Sequence, residues 1–270
     1  MPQGAATVGL TPHDRWFVPL FGATILLAWA ALGAWDLSPY AAYLRHDWTQ
    51  LGIAAGLCAA LPGGEWAGPA LLYAGGWMLM TAAMMLPTTL PLVMVFRRLT
   101  QGRGDRAWLL ALLFAGYLAA WFAFGIAAHL LGLALLALAR RSLWLAFNGW
   151  AIGAGILIAA GLFQFSPLKY RCLDGCRSPL AFILARWTGA RPRRESLALG
   201  VAHGVFCVGC CWLLMLLMFV VGTGSLGWML ALGAVMALEK NSRWGRRLAA
   251  PLGGLLLLAA LGVVATAGGG

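Results

Sequence analysis

The chain has 270 residues, 62% of them apolar and only 10% charged. A water-soluble domain of this size cannot clothe its surface with so few polar side chains, so a soluble enzyme or binding module is excluded and lipid is the expected solvent. The net charge of +11 comes from Lys and Arg clusters set between apolar stretches; no continuous basic face exists for nucleic acid, and the clusters carry topology instead.

About 20 mainly apolar residues cross a bilayer as a helix. On that criterion the sequence predicts an all-α polytopic bundle of about seven spans, at roughly 17–35, 70–96, 107–130, 147–166, 197–222, 226–240 and 251–267. The first stretch, from Phe17 to Trp35, is too long for a signal-peptide core and lacks a small-residue cleavage site, so it reads as a span. The sixth is the shortest. Between the first two lies a long connection, 36–69, whose segment LGIAAGLCAAL fits a half-inserted or interfacial helix, or an eighth hydrophobic element.

Lys and Arg are retained on the cytoplasmic side of bacterial membranes. Arg97, Arg98, Arg103 and Arg106 follow the second span, Lys169, Arg171, Arg177, Arg186, Arg191, Arg193 and Arg194 the fourth, and Lys240, Arg243, Arg246 and Arg247 the sixth. All three loops fall on one side. The connection at 36–69 holds Asp36, Asp47 and Glu65 against Arg45, which suits the outside. The N-terminus is then cytoplasmic and the C-terminus external. Arg140 and Arg141 disagree with this alternation and are expected to cap an interfacial extension of a long third helix. The halves show no repeat, and ATAGGG reads as a disordered tail. Residues 1–270 form a single integral membrane domain, in which 1–69 precede a motif-bearing bundle at 70–270.

The fifth span contains AHGVFCVGCCWLLMLLMF. At about 100° per residue from His203, Cys207 falls near 40°, Cys210 near −20° and Cys211 near 80°, so one face presents four ligating side chains. Met218, near 60°, continues the arc two turns further toward the outer side, while Trp212 faces away. Thiolate, thioether and imidazole select copper(I), zinc or iron–sulfur centres over magnesium or calcium. Cysteine alone is a good small packing residue and a lone histidine makes interhelical hydrogen bonds. Three cysteines and a histidine on one arc favour metal or redox chemistry, with Cys207 and Cys210 or Cys211 as primary ligands.

A second cluster, SPLKYRCLDGCRSP, follows the fourth span. Cys172 and Cys176 are bracketed by Pro167 and Pro179, with Gly175 expected to give a turn between them. Lys169, Arg171 and Arg177 favour the reactive, metal-binding thiolate there. Two cysteines cannot close a tetrahedral site, so either this segment folds back to share one centre with the fifth span, or the two clusters are stations of a relay. The six cysteines are too concentrated for an extracellular disulfide framework.

In the second span Met78, Thr81 and Met85 share a face, and Pro87 and Pro91 interrupt the helix. Alone, that stretch reads as packing. In the sixth, Met229 and Met236 lead to Glu239 and Lys240 at the cytoplasmic end. Glu239 is a candidate ligand, a partner for His203 or a proton acceptor; a salt bridge to Lys240 or an arginine competes with those roles. His129 reads as interfacial, and Cys58, His46 and His13 stand alone.

The pieces AAMMLP at 82–87, PLKYRCLDGCRSP at 167–179, GVFCVGCCWLLM at 204–215 and the pair Glu239–Lys240, in this order, resemble a bacterial family of unknown function regarded as predicted metal-binding integral membrane proteins. The resemblance runs from the second span onward and leaves out the first 69 residues. It implies a multi-pass protein of the bacterial inner membrane with a metal at the cysteine motifs.

The metal-site candidates are therefore His203, Cys207, Cys210, Cys211, Cys172, Cys176, Met218 and Glu239. Copper(I) is the favoured ion, with zinc or iron as alternatives. The expected role is delivery, export or buffering of that ion rather than catalysis, for no phosphate-binding GKS/T loop is present to drive pumping. Two other readings are an intramembrane thiol–disulfide oxidoreductase using both cysteine clusters, and an accessory subunit whose cysteines hold a structural ion. The expected partners are the lipid bilayer and either a metallochaperone or a larger membrane complex.

Overall fold

The structure is a computed structural model and describes residues 12–37, 67–142, 144–145, 148–218 and 225–267. Its elements, in chain order, are α1 (Pro12–Asp36), α2 (Ala67–Leu99), α3 (Arg106–Arg141), α4 (Trp150–Phe163), α5 (Pro167–Arg177), α6 (Pro179–Leu184), α7 (Pro192–Leu216), α8 (Leu226–Asn241) and α9 (Gly245–Ala267). The fold is all helical among the described residues. The segment LGIAAGLCAAL, with Cys58 and His46, lies outside them, as does the side chain of His13.

Five helices, α1, α2, α3, α7 and α9, are long and apolar enough to cross a membrane. A sixth crossing exists if α4 and α5, bent by 65° at their junction, count as one broken span. Among the described residues five or six candidate crossings thus stand beside the expected count of seven. The helix α8 has 16 residues, about 24 Å at 1.5 Å per residue, which falls short of the hydrocarbon thickness.

The α4–α5 break has a local cause. Ser166 caps α5, its hydroxyl accepting from the Lys169 amide at 3.1 Å, and Pro167 occupies the first helical turn, the arrangement that starts a new helix most cheaply. The expected turn at Gly175 is absent, since α5 runs unbroken through Cys172, Gly175 and Cys176. Gly175 serves close packing instead: a side chain there would collide with the Phe206 ring. The long third helix does reach Arg141, as its apolar run implied.

The helix α7 is the hub, packed against α3, α5 and α4, while α2 bridges α1, α3 and α8, and α9 lies along α4. Leu26 and Leu27 on α1 and Leu255, Leu258 and Leu261 on α9 point outward and are exposed. An apolar rim of that extent suits lipid rather than water. Inside, Met80, Met84, Met85, Met215, Met218, Met229 and Met236 share one buried core with Cys207, Cys210, Cys211, Trp77 and Trp121. Methionine fills irregular space, and here it also lines the core with sulfur.

Candidate metal centre

Lipid gives apolar side chains no reason to associate, so helices meet where small residues let backbones approach. Gly116 and Ala120 on α3 face Gly200 and Gly204 on α7. A methyl group on Gly200 would run into the Leu113 carbonyl, and one on Gly204 would lie 2.6 Å from the Ala120 Cβ. This approach carries Tyr117 to the metal-ligand candidates. Its ring lies 5.8 Å from that of His203, and its hydroxyl is 3.1 Å from Cys207 Sγ.

A second glycine contact brings in α5. A methyl group on Gly209 would lie 2.6 Å from Cys172 Sγ, so α5 rests against α7 at this glycine. The helical C-x3-C spacing sets Cys172 and Cys176 one turn apart on one side. Cys172 and Cys176 pack against the buried core that holds Cys207, Cys210 and Cys211. The two cysteine motifs thereby form a continuous cluster, in which the five described cysteines are all free thiols.

The third contribution comes from the middle of α2 and the C-terminal end of α8. Lys240 Nζ is 2.9 Å from Cys207 Sγ, 3.7 Å from Cys211 Sγ and 3.7 Å from Met85 Sδ. Cys211 Sγ lies 3.9 Å from Met85 Sδ, and Cys210 and Cys211 both donate to the Cys207 carbonyl, at 3.1 and 2.9 Å. Sulfur atoms from α2, α5 and α7 therefore converge at one level of the bundle, beneath residues that are almost wholly buried.

Beside this cluster a second charged feature ties α5 to α8. Lys169 Nζ bonds both carboxylate oxygens of Glu239, at 2.8 and 2.9 Å, with the side chains 0% and 2% exposed. Arg177 adds a bond to the Glu239 carbonyl at 2.6 Å. Of the partners expected for the Glu239 carboxylate, His203, Lys240 or an arginine, none holds it; Lys169 does. The basic loop residue of the sequence reading is in fact fully buried, because α5 folds into the bundle rather than out of it.

His203 lies one turn from Cys207, about 6 Å along the axis. It is 3% exposed, its Nδ1 lacks a hydrogen-bond partner, and its ring meets the edge of Phe182 at 5.5 Å. With Thr89 and Tyr117 it lines a small cavity of about 10 Å³, room for about one water. Met218 is fully buried in the methionine core, but seven residues past Cys211, or about 10 Å along the axis, it stays outside the sulfur cluster. Trp212 packs on Phe163, away from the cysteines. His129 lies about two-thirds of the way along α3, its ring 4.5 Å from that of Tyr73.

Sequence reasoning passed over Tyr117, read Lys240 only as a helix-end charge paired with Glu239, and treated Met85 as packing. Lys240 carried the only advance signal, as a charge ending an apolar stretch beside Glu239. Among the described residues no group of three His, Cys, Asp or Glu side chains is arranged to hold a metal ion. What the cluster offers is a thiol–thioether set, Cys207, Cys211 and Met85, with Cys176 and Cys210 alongside. Such soft donors fit copper(I), whereas a structural zinc site wants four thiolate or imidazole ligands in a tetrahedron.

No curated protein and no solved structure matches the chain. Residues 74–263 match the family model PpoB2, described as a copper chaperone. That stretch takes in Met85, Lys240, the five described cysteines and most of the chain, so the protein belongs to the PpoB2 copper chaperone family.

Proposed function

We propose that the protein binds copper(I) within the bacterial inner membrane and hands it to a partner protein, a metallochaperone or a larger membrane complex. The convergence of Cys207, Cys211 and Met85 carries this reading, supported by the family's description. A soft ion moves between like sulfur ligands with little change in coordination chemistry, which keeps transfer in a low-dielectric core inexpensive. Cys176 and Cys210, packed in the same core, extend the donor set toward the α5 side, and His203, with its unpartnered Nδ1, offers an imidazole one turn nearer the cytoplasm. The methionines Met218 and Met229 would prolong the sulfur lining toward the outer face.

The test is copper(I) titration of the purified, reduced protein against a chromophoric chelator, with X-ray absorption at the copper edge. Near-stoichiometric copper with sulfur scatterers is expected, and Cys207→Ser with Cys211→Ser should abolish it. Copper held through nitrogen and oxygen alone, or retained by that double variant, refutes the assignment.

A second reading rests on the packing of the Cys172–Cys176 segment against Gly209 and the buried core of Cys207 and Cys210. Thiols that meet can exchange a disulfide, as an intramembrane oxidoreductase requires. A metal-free protein with a reversible Cys176–Cys207 or Cys176–Cys210 disulfide would favour that reading over copper transfer.

A further inference from the structure

The chain contains 19 Lys and Arg residues. Only Lys169 and Lys240 are lysines, and both are buried, at 0% and 5% exposure. Their surroundings differ sharply. Lys169 has the conventional partner, the two carboxylate oxygens of Glu239. Lys240 has no oxygen partner among the described residues; the hydrogen-bond neighbours of its ammonium are Cys207 Sγ, Cys211 Sγ and Met85 Sδ.

This nest is chemically odd for an ammonium. A compact, strongly hydrated cation prefers oxygen acceptors, and a thioether is a weak one. A buried cation also demands a counter-charge. With the Glu239 carboxylate bound through both oxygens to Lys169, the nearest group able to supply one is the Cys207 sulfur at 2.9 Å, as thiolate. The three sulfurs suit a soft monovalent cation far better than the hard one beside them.

We propose that Lys240 is a tethered placeholder: its ammonium occupies, among Cys207, Cys211 and Met85, the position that copper(I) takes, and it is displaced when the ion arrives. The inference rests on the copper reading above. It explains how a thiol cluster in a dry core stays charge-balanced without metal, and it gives release a built-in competitor, since the ammonium returns as the ion leaves. Lys240 is next to the last residue of α8, Asn241, so its four-carbon stem can carry the displaced charge to the polar layer at the helix end. One monovalent cation replaces another at the sulfur nest. Lys240 is thus a positioning residue for the empty site and not a ligand of the filled one.

Reductive methylation with isotopically labelled formaldehyde, read by peptide mass spectrometry, tests this on the wild-type protein in nanodiscs, because only two lysines report. Adding copper(I) as its acetonitrile complex should raise modification of Lys240 several-fold and leave Lys169, still held by Glu239, unchanged. Cys207→Ala should raise Lys240 modification without any copper, since the counter-charge is gone. Stoichiometric copper with Lys240 as protected as before overturns the placeholder while leaving copper binding intact. Failure to bind copper at all overturns both.

Discussion

The Lys169–Glu239 pair gives the sharpest energetic expectation. Glu239→Gln leaves the Lys169 ammonium in a site with 0% exposure and, among the described residues, no second carboxylate bonded to it. Breaking a buried pair by removing one partner costs about 3–5 kcal/mol, because the remaining charge keeps its desolvation penalty. The Arg177 bond should survive, as it uses the Glu239 backbone carbonyl, so the loss reports the carboxylate alone. Replacing both partners, Lys169→Met with Glu239→Met, removes the buried charges together and should recover most of the loss. Unfolding in mixed micelles with rising SDS fraction, followed by tryptophan fluorescence, measures the full double-mutant cycle. A coupling below about 0.5 kcal/mol, or a Glu239→Gln variant as stable as wild type, would refute a buried, mutually compensating pair. The double variant should also keep its copper stoichiometry, which a ligand role for Glu239 forbids.

Other expectations follow from single contacts. Gly204→Ala places a Cβ 2.6 Å from the Ala120 Cβ, against an ordinary separation of about 3.5–4.0 Å, so α3 and α7 must part by about 1 Å. That opens the 3.1 Å contact of Tyr117 with Cys207, and a loss of about 1–3 kcal/mol in the same SDS assay is expected; unchanged stability and copper affinity would contradict the glycine-stripe account. Tyr117→Phe removes the hydroxyl beside Cys207 and should cost about 0.5–1.5 kcal/mol, checked by the same unfolding curve, with the helix packing and far-UV circular dichroism intact. Met218→Leu, nearly volume-conserving and outside the sulfur cluster, should leave the stoichiometry of the copper titration at the wild-type value and cost under about 1.5 kcal/mol; a lost copper equivalent would place Met218 among the primary ligands.

The helical, membrane-compatible class and the existence of a His–Cys stripe follow from local properties alone. Apolar run length dictates helices in lipid, because backbone polar groups there have no other partner. Helical periodicity alone sets His203, Cys207, Cys210 and Cys211 on one arc. The span count was less secure, since α4 and α8 are short and only the bend at Ser166–Pro167 shows how α4 continues into α5. Periodicity is also silent on which helix faces the arc. That the CLDGC segment is a helix lying against Gly209, that Met85 completes a thioether–thiol group and that Lys169 claims Glu239 are decided by how α2, α5 and α8 come together beside the α7 cysteines. Those contacts join residues far apart in the chain, such as Met85 and Lys240. Close approach at glycines and the need of every buried charge for a partner select them, and both operate only once the helices have met.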